Sequence, residues 1–321
     1  MRQRIDALGI KGSVLVISKG KVLLDYASNN TTDTSYLINS VQKSMTAAMV
    51  MKLVQEGKLS LHERLARFYP AIPGAKKITI ENLLAMTAGL QLKPGARLGR
   101  RHFVSDQDNL ACDVKKTVFK PKMLGKWYYS SLNYVYLCGI MTQVTGQSYE
   151  QLFRATYVEP LQLKQTEFLW SKPGKIIASR LVPGKIYRGG RYDVVKHKKA
   201  LQAAHDELGA GSVVMSNHDL AKVMNYILAG SLLSKKSRRE LYRARPPYYY
   251  NGGFYNDASL GLKTANGAGE GYYTFMRSTK TAKTMIIIQA NKTRKGEFAV
   301  LKDRIDKLIV ELFSKKELSS F

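Results

Sequence analysis

A serine and a lysine lie three residues apart in the stretch SVQKSMTAAM, which begins at Ser40. On a helix, residues i and i+3 share a face, so the Lys43 amine can reach the Ser40 hydroxyl. A serine in the first helical turn also lies beside free backbone N–H groups and the positive end of the helix dipole. This arrangement could activate the hydroxyl as a nucleophile. The alternative is an ordinary helix start with a basic residue in its first turn.

A second candidate group lies in KWYYSSLNYVYLCG, where Tyr129-Ser130-Ser131 comes directly before an apolar helical pattern. Side chains at the end of an element can project into a cleft, and a tyrosine bonded to a lysine can serve as a base toward a serine. Aromatic residues beside an apolar helix usually serve packing. Taken alone, this motif leaves both interpretations open.

A third candidate is the glycine-rich stretch LKTANGAGEGYYTF in the last third of the chain. Gly267, Ala268, Gly269 and Gly271 would leave a strand edge almost free of side chains. A ligand could lie close along such an edge, and one of its N–H groups could bind an oxyanion. A glycine-rich turn without any function explains the same residues.

The surrounding periodicities indicate the elements that would position these residues. Two apolar runs separated by Lys19-Gly20 predict an early hairpin, and three strand-like runs precede an amphipathic helix from about Glu297. Helical spacing predicts buried helices from Ser40 to Gly57 and from Leu132 to Gly146, and a further helix capped by Asn217. Strands at both ends with helices between them predict an α/β layer formed by the two termini.

Composition limits the classes of function. The 321 residues are 45% hydrophobic and 23% charged, as in globular proteins, and no apolar run approaches the roughly 20 residues of a membrane helix. The 51 Lys and Arg against 24 Asp and Glu give a net charge of +27, which favours a polyanionic partner such as nucleic acid, acidic lipid or a phosphate-rich wall polymer. Because the basic residues are spread along the chain and no nucleic-acid motif is present, nucleic acid is not expected as a partner.

Metal and targeting signals are weak in this sequence. The two cysteines and five histidines lack the spacing of metal ligands, so a metal site is not expected. The N-terminus lacks the long apolar run and cleavage site of a signal peptide. Arg2 to Leu8 indicates a helix leading into a strand, as if an export or anchoring segment were missing from the chain.

The three motifs in this order, together with ITIENLLAMTAGL and GAGSVVMSNHDLAKVMNYILAG, closely resemble the serine β-lactamase-like hydrolases. This group contains class C β-lactamases, low-molecular-weight penicillin-binding proteins and related esterases. The resemblance runs from about Gly12 to Lys292 and implies a β-lactamase/transpeptidase-like α/β fold, with an antiparallel sheet flanked by helices and a mostly helical subdomain. We expect one catalytic domain over residues 1–321, with the α/β layer at about 1–65 and 206–321 and the helical insert at about 66–205.

The resemblance also implies roles for the candidate residues. Ser40 would be the nucleophile, Lys43 its activating partner, and Tyr129 a general base or acid shared with Lys43. The family's Tyr-x-Asn motif falls on Tyr129-Ser130-Ser131, so Ser131 stands where asparagine is usual and keeps a shorter hydrogen-bonding side chain for the substrate. The resemblance calls for no metal or cofactor.

The family's strand motif is His or Lys, then any residue, then Gly. The spacing to Gly271-Tyr272 places this motif on Asn266-Gly267-Ala268, whereas an alternative alignment on Lys263-Thr264-Ala265 restores the cation. With the first placement, Asn266, Gly267 and Ala268 would line the substrate site, and the N–H groups of Ser40 and a strand residue near Ala268 would bind the oxyanion. Loss of the cation removes the usual partner of a substrate carboxylate, which favours an ester substrate.

The resemblance and the charge of +27 together predict a serine hydrolase of the bacterial cell surface that works through an acyl-enzyme on Ser40. The first candidate substrate is a D-alanyl ester on an anionic teichoic acid. A peptidoglycan stem ending in D-alanyl-D-alanine comes second and would make the enzyme a DD-carboxypeptidase. The alternatives are a small-ester carboxylesterase or β-lactamase, and a non-catalytic penicillin-binding-like protein that binds wall polymer.

Overall fold

The computed structural model describes residues 1–100, 104–170, 181–243, 249–257 and 261–312. Numbered in chain order, the strands of these ranges are β1 Gly12–Ser18, β2 Lys21–Ala27, β3 Tyr36–Leu37, β4 Leu90–Leu92, β5 Thr117–Phe119, β6 Thr166–Phe168, β7 Lys185–Arg188, β8 Arg191–Val194, β9 Val213–Met215, β10 Tyr250–Asn251, β11 Phe254–Asp257, β12 Leu262–Gly269, β13 Tyr272–Thr279, β14 Met285–Ala290 and β15 Lys292–Thr293. The α-helices are α1 Arg2–Asp6, α2 Gln42–Gln55, α3 Ile80–Leu84, α4 Asp106–Lys116, α5 Leu132–Thr145, α6 Tyr149–Phe153, α7 His197–Asp206, α8 Asn217–Leu228, α9 Lys235–Leu241 and α10 Glu297–Leu312.

The largest sheet has seven strands in the order β10-β11-β12-β13-β14-β1-β2, and each neighbouring pair is antiparallel. Strand β1 pairs with β14 on one side, with Val14 opposite Ile288, and with β2 on the other. The predicted early hairpin therefore forms, and Lys19 and Gly20 both have the positive φ that two-residue hairpin turns require. The two ends of the chain build one sheet.

The two faces of this sheet belong to different hydrophobic layers, because successive side chains of a strand point to opposite faces. Val14 and Val16 of β1 lie in one cluster with Ile305 of α10. Leu15 and Ile287 belong instead to the larger cluster built on helices α2, α5 and α8. The sheet is thus covered on both faces, and the candidate site lies on the side of α2.

Helix α2 forms the centre of the larger cluster. Every residue from Gln42 to Met51 is buried. Because the whole circumference is covered, the polar side chains of the helix need partners inside the protein. Thr46 Oγ1 and Gln42 Nε2 both bond the Tyr149 hydroxyl, at 2.7 and 3.1 Å. This network holds the first half of α2 in a fixed position relative to α6.

The described elements between residues 66 and 205 are mainly the helices α3 to α7, with the antiparallel pair β4–β5 and the hairpin β7–β8. The division of the chain into an α/β layer and a helical insert stays a prediction. Across the described ranges, no helix combines the length and the apolar character needed to cross a membrane.

Helix α8 has a different cap from the predicted one. Ser216 is the N-cap, and its Oγ accepts a hydrogen bond from the Asp219 N–H at 3.3 Å. The predicted cap, Asn217, is the first helical residue and is buried. Serine and asparagine are both good N-cap residues, so the sequence pattern does not distinguish two such neighbours.

Candidate active site

Ser40 lies in a short 3-10 turn, Asn39–Val41, that leads into α2. The residue before it, Asn39, has a φ of 48°, a left-handed conformation that residues other than glycine rarely adopt. The Asn39 side-chain amide donates to the carbonyl oxygens of Leu37 and Gly269, at 3.3 Å each. These bonds fix the turn between the end of β3 and the end of β12.

The Lys43 amine contacts the Ser40 hydroxyl directly. Lys43 Nζ lies 2.8 Å from Ser40 Oγ and donates to the Ala210 carbonyl at 3.0 Å. The side chain is fully buried, because α2 is covered on all sides at this level. In the described part of the chain no carboxylate forms an ion pair with Lys43, so its partners are a hydroxyl and a carbonyl.

Tyr129 completes a three-residue cluster around the serine oxygen. Its hydroxyl lies 2.7 Å from Ser40 Oγ, and Lys43 Nζ lies 5.3 Å from the centre of its ring. The segment before α5 carries this side chain, and the ring is held edge-on by Tyr250 at 6.5 Å between centroids. With 38% of the residue exposed, Tyr129 forms the solvent-facing wall of the cluster.

Strand β12 runs past the nucleophile turn. A Cβ built at Gly267 would overlap the Ile38 carbonyl oxygen, and one built at Gly269 would lie 2.8 Å from Asn39 Oδ1. At Gly267 the neighbour is backbone, so only glycine permits this approach of the strand to the turn. The sequence pattern predicted room for a ligand along this edge, and that stays a prediction. Gly267 and Ala268 therefore lie beside the turn that carries Ser40.

Within the described ranges, the edge of β12 near Ser40 is open. Strand β11 pairs with β12 only from Leu262 to Thr264 in this part of the chain. A two-residue turn joins Gly269 to Tyr272, so these two residues form a hydrogen-bonded pair of the antiparallel ladder. The adjacent pair, Ala268 and Tyr273, is therefore a pair whose backbones do not bond each other. The N–H of Ala268 consequently points away from β13, toward the open edge.

Asn266 requires a correction. We expected its side chain to line the substrate site, but it lies on the opposite face of β12 from Gly267. Its Oδ1 accepts a hydrogen bond from Arg277 Nη1 at 2.8 Å, and Arg277 Nε bonds Asp306 of α10 at 2.5 Å. Burial lowers the pKa of the Arg277 guanidinium, while Asp306 acts in the opposite direction. The Asn266 amide thus helps to hold a buried arginine on the α10 side of the sheet.

Lys263, the cation of the alternative alignment, has other partners. Its Nζ donates to Asn256 Oδ1 at 2.5 Å and to the Tyr242 carbonyl at 3.3 Å. Burial lowers the pKa of this amine to about 8, and the neighbouring Lys280 adds to the effect. Neither of its two partners is in hydrogen-bond contact with Ser40 or Tyr129.

Ser131 contacts Glu207, a residue that the sequence motifs did not identify. Its hydroxyl donates to Glu207 Oε2 at 3.3 Å. The Glu207 carbonyl accepts the N–H groups of Ala210 and Gly211, at 2.8 Å each, and this tight turn also places the Ala210 carbonyl against Lys43. The only sequence signal for Glu207 is an acidic residue before the small stretch Gly209 to Gly211.

The cluster is suited to nucleophilic chemistry by a serine. The Ser40 oxygen accepts hydrogen bonds from the Lys43 amine and the Tyr129 hydroxyl, two groups through which its proton could be relayed. A nucleophile, its proton acceptors and an open strand edge with a free N–H are the parts that acyl transfer requires. Among the described residues, no group of three or more His, Cys, Asp or Glu side chains is arranged to hold a metal ion.

Comparisons with known sequences agree on one family. The family model for Beta-lactamase matches residues 1–311 of the chain. A Bacillus subtilis (strain 168) protein that carries the name penicillin-binding protein PbpX is 24% identical over 316 residues, which cover 95% of this chain and 76% of the relative. The teichoic acid D-alanine hydrolase of Staphylococcus aureus (strain NCTC 8325 / PS 47) is 27% identical over 255 residues, or 77% of this chain. The aligned part is 60% of the length of that hydrolase.

Solved structures have the same architecture. FmtA from Staphylococcus aureus superposes with a TM-score of 0.80 at 21% identity, covering 98% of this chain and 88% of FmtA. D-amino acid amidase from Ochrobactrum anthropi SV3 superposes with a TM-score of 0.81 at 19% identity, covering 97% and 96% of the two chains. These likenesses confirm the predicted β-lactamase/transpeptidase-like fold.

Proposed function

Because the chain belongs to the Beta-lactamase family of serine hydrolases, we propose that it removes D-alanine, held as an ester, from an anionic cell-wall polymer of the teichoic acid class. The observation that carries the proposal is the contact of Ser40 Oγ with Lys43 Nζ and the Tyr129 hydroxyl, at 2.8 and 2.7 Å. The resemblance to a teichoic acid D-alanine hydrolase, at 27% identity, supports the substrate class.

The first half of the reaction is acylation. Ser40 Oγ attacks the ester carbonyl while Lys43 and Tyr129 take up the hydroxyl proton. The negative charge that develops on the carbonyl oxygen is stabilised by the N–H groups of Ser40 and Ala268. Collapse of the tetrahedral intermediate breaks the ester bond, and the polymer hydroxyl leaves with the proton returned by the same two groups.

The second half is hydrolysis of the D-alanyl ester on Ser40. A water molecule enters the position that the polymer hydroxyl has left, and Tyr129 with Lys43 removes its proton as it attacks. Breakdown of the second tetrahedral intermediate releases D-alanine and restores the Ser40 hydroxyl. The exposure of Tyr129, 38%, is consistent with access of water to this point.

Charge supports an ester without a free carboxylate as the reacting group. The open part of β12, Ala265–Gly269, contains no cationic side chain. Lys263 lies before this part, and its amine is bonded to Asn256 and Tyr242. A substrate whose reacting end carries a carboxylate would find no counter-charge on this stretch of strand.

Charge also supports a polyanionic carrier. The net charge is +27, and Arg188 and Arg191 are exposed on the β7–β8 hairpin. This hairpin lies next to the β12–β13 turn, because a Cβ at Gly271 would overlap the backbone of Lys185. A phosphate-rich chain could extend from Ser40 along this basic hairpin. Such a substrate places the protein outside the cytoplasm, at the bacterial cell surface.

The test compares two carriers of D-alanine. The wild type and Ser40→Ala are incubated with D-alanylated lipoteichoic acid and, separately, with a muropeptide ending in D-alanyl-D-alanine, and released D-alanine is measured. Release from the polymer alone, lost in the variant, is the expected result. Release from neither substrate would contradict the proposal.

One relative favours a second candidate, DD-carboxypeptidase activity, because it carries the name of a penicillin-binding protein. Ser40-dependent release of D-alanine from the muropeptide alone would support that candidate. If the wild type and Ser40→Ala both bind one of these two substrates and neither releases D-alanine, the protein would instead be a wall-binding protein.

A further inference from the structure

We propose that the Glu207 carboxylate binds the ammonium group of the acyl part of the substrate, which makes the site selective for aminoacyl esters. This inference rests on the proposed function and deepens it, because it names the chemical feature by which the site selects its acyl group. The ligand class is a primary ammonium on the carbon next to the reacting carbonyl.

The first argument is position. A Cβ built at Gly211 would lie 3.1 Å from Glu207 Oε2 and 3.4 Å from the carbonyl carbon of Asn39, the carbon that is bonded to the Ser40 nitrogen. The carboxylate oxygen therefore lies within about 6.5 Å of the peptide group whose N–H we propose as an oxyanion donor. Ser131, two residues after Tyr129, donates a hydrogen bond to Oε2 at 3.3 Å.

The second argument is charge. Within the described ranges, the only side-chain partner of the Glu207 carboxylate is the Ser131 hydroxyl, and no lysine or arginine forms an ion pair with it. The nearby Lys43 amine is bonded to Ser40 and to the Ala210 carbonyl instead. A carboxylate without a cation, in a chain with 51 Lys and Arg, leaves room for a cation supplied by a ligand.

The third argument is the chemistry of the substrates. In a D-alanyl ester the carbon next to the reacting carbonyl carries a free amine, which is protonated near neutral pH. In a muropeptide the nitrogen at this position is an amide and has no charge. A carboxylate close to the oxyanion site therefore stabilises the ester substrate by a charge-assisted hydrogen bond that the peptide substrate does not form.

The test removes the charge from each partner in turn. We measure kcat/KM for D-alanine methyl ester and for methyl propionate, its analogue without the amine, with the wild type and with Glu207→Gln. The matched control is Glu159→Gln, which removes the same charge from an exposed position. The ratio of the two kcat/KM values is expected to fall about 10- to 100-fold in Glu207→Gln, the range of a hydrogen bond to a charged group, and to stay within about 3-fold in the control.

A merely structural role of Glu207 gives a different result. If the carboxylate only positions Ser131 or the turn before Ala210, Glu207→Gln would lower both kcat/KM values by the same factor and leave their ratio unchanged. That result would overturn the inference. Circular dichroism and the thermal midpoint of each variant show whether the fold is retained.

A separate experiment distinguishes failure of the proposed hydrolase function from failure of the ammonium site. If the wild type hydrolyses neither ester, binding of the same two molecules to Ser40→Ala is measured by saturation-transfer NMR. A preference for D-alanine methyl ester that disappears when Glu207→Gln is added supports the ammonium site without any turnover. Equal binding of both molecules to Ser40→Ala overturns it.

Discussion

Gly267 of β12 lies directly against the Ile38 carbonyl, so closely that a Cβ at this position would overlap the carbonyl oxygen. Ile38 is two residues before Ser40, and the strand and the nucleophile turn are therefore in contact through their backbones. This contact sets the distance between the Ser40 oxygen and the N–H of Ala268.

The first prediction concerns this contact. Gly267→Ala is expected to lower kcat/KM by about 10²-fold or more, because a displacement of the strand by about 1 Å misplaces the oxyanion donors. Ala268→Ser is the control, since position 268 already carries a Cβ and the variant keeps the backbone N–H. Equal activity of Gly267→Ala and the wild type would show that the strand does not contribute to the reaction.

The second prediction concerns Lys43. Lys43→Met replaces a buried amine by an apolar chain of similar length, so the fold should persist with an unchanged or higher thermal midpoint. Loss of the proton acceptor is expected to lower kcat/KM by about 10²- to 10⁴-fold. Ester hydrolysis by the variant at the wild-type rate would exclude Lys43 from the proton transfer and leave Tyr129 as the base.

The third prediction concerns the pH dependence of stability. Burial raises the pKa of Asp206 to about 7 and that of Asp113 to about 6, and each has a buried carboxylate oxygen without a hydrogen-bond partner in the described ranges. An unfolded aspartate has a pKa of about 3.9, so the folded state holds these protons more tightly. The two groups therefore favour folding most at low pH, and this contribution falls as the pH rises from about 4 to about 7.

Asp206→Asn tests this assignment. The neutral amide removes the charge that burial disfavours, so the thermal midpoint at pH 8 is expected to rise by roughly 2 °C, whereas the midpoint at pH 4 should change little. Asp193→Asn, on the β7–β8 hairpin where Asp193 pairs with Arg191, is the control. A lower midpoint of Asp206→Asn at pH 8 would mean that the carboxylate is stabilising.

The fourth prediction separates the two alignments of the strand motif. Burial lowers the pKa of Lys263 to about 8 in the folded protein, whereas the unfolded chain has a pKa of about 10.5 at this residue. Because the folded state disfavours the protonated amine, the contribution of Lys263 to the free energy of unfolding should rise between about pH 8 and pH 10.5. Lys263→Met is expected to remove this rise and to keep kcat/KM for D-alanyl esters within about 3-fold, because catalysis does not use the amine. A selective loss of activity on a carboxylate-bearing muropeptide would restore Lys263 as a substrate anchor.

Local sequence patterns were sufficient to predict the main helices and strands and the contact between Ser40 and Lys43. Ser40 and Lys43 are three residues apart at a helix start, so their contact follows from helical geometry alone. Tyr129 is distant in sequence, and only the resemblance of the whole chain to a family placed it beside them. The sheet built from both ends of the chain was predicted in the same two ways, from periodicity and from resemblance.

These patterns did not predict which face of the sheet a strand side chain occupies. Which face Asn266 occupies depends on the register of β12 against β13, and one residue of register reverses every side chain. Its partner, Arg277, lies on β13 and offered no local signal. Glu207 was missed for a related reason, since its contact with Ser131 joins two loops that are far apart in sequence.

The most direct test of the central claim is to trap the acyl-enzyme. The protein is mixed with D-alanylated lipoteichoic acid, quenched in acid within the first turnovers, digested and analysed by mass spectrometry. We expect a D-alanyl group on the peptide that contains Ser40 in the wild type and an unmodified peptide in Ser40→Ala. Release of D-alanine with no adduct on Ser40, or with the adduct on another residue, would contradict the assignment of Ser40 as the nucleophile.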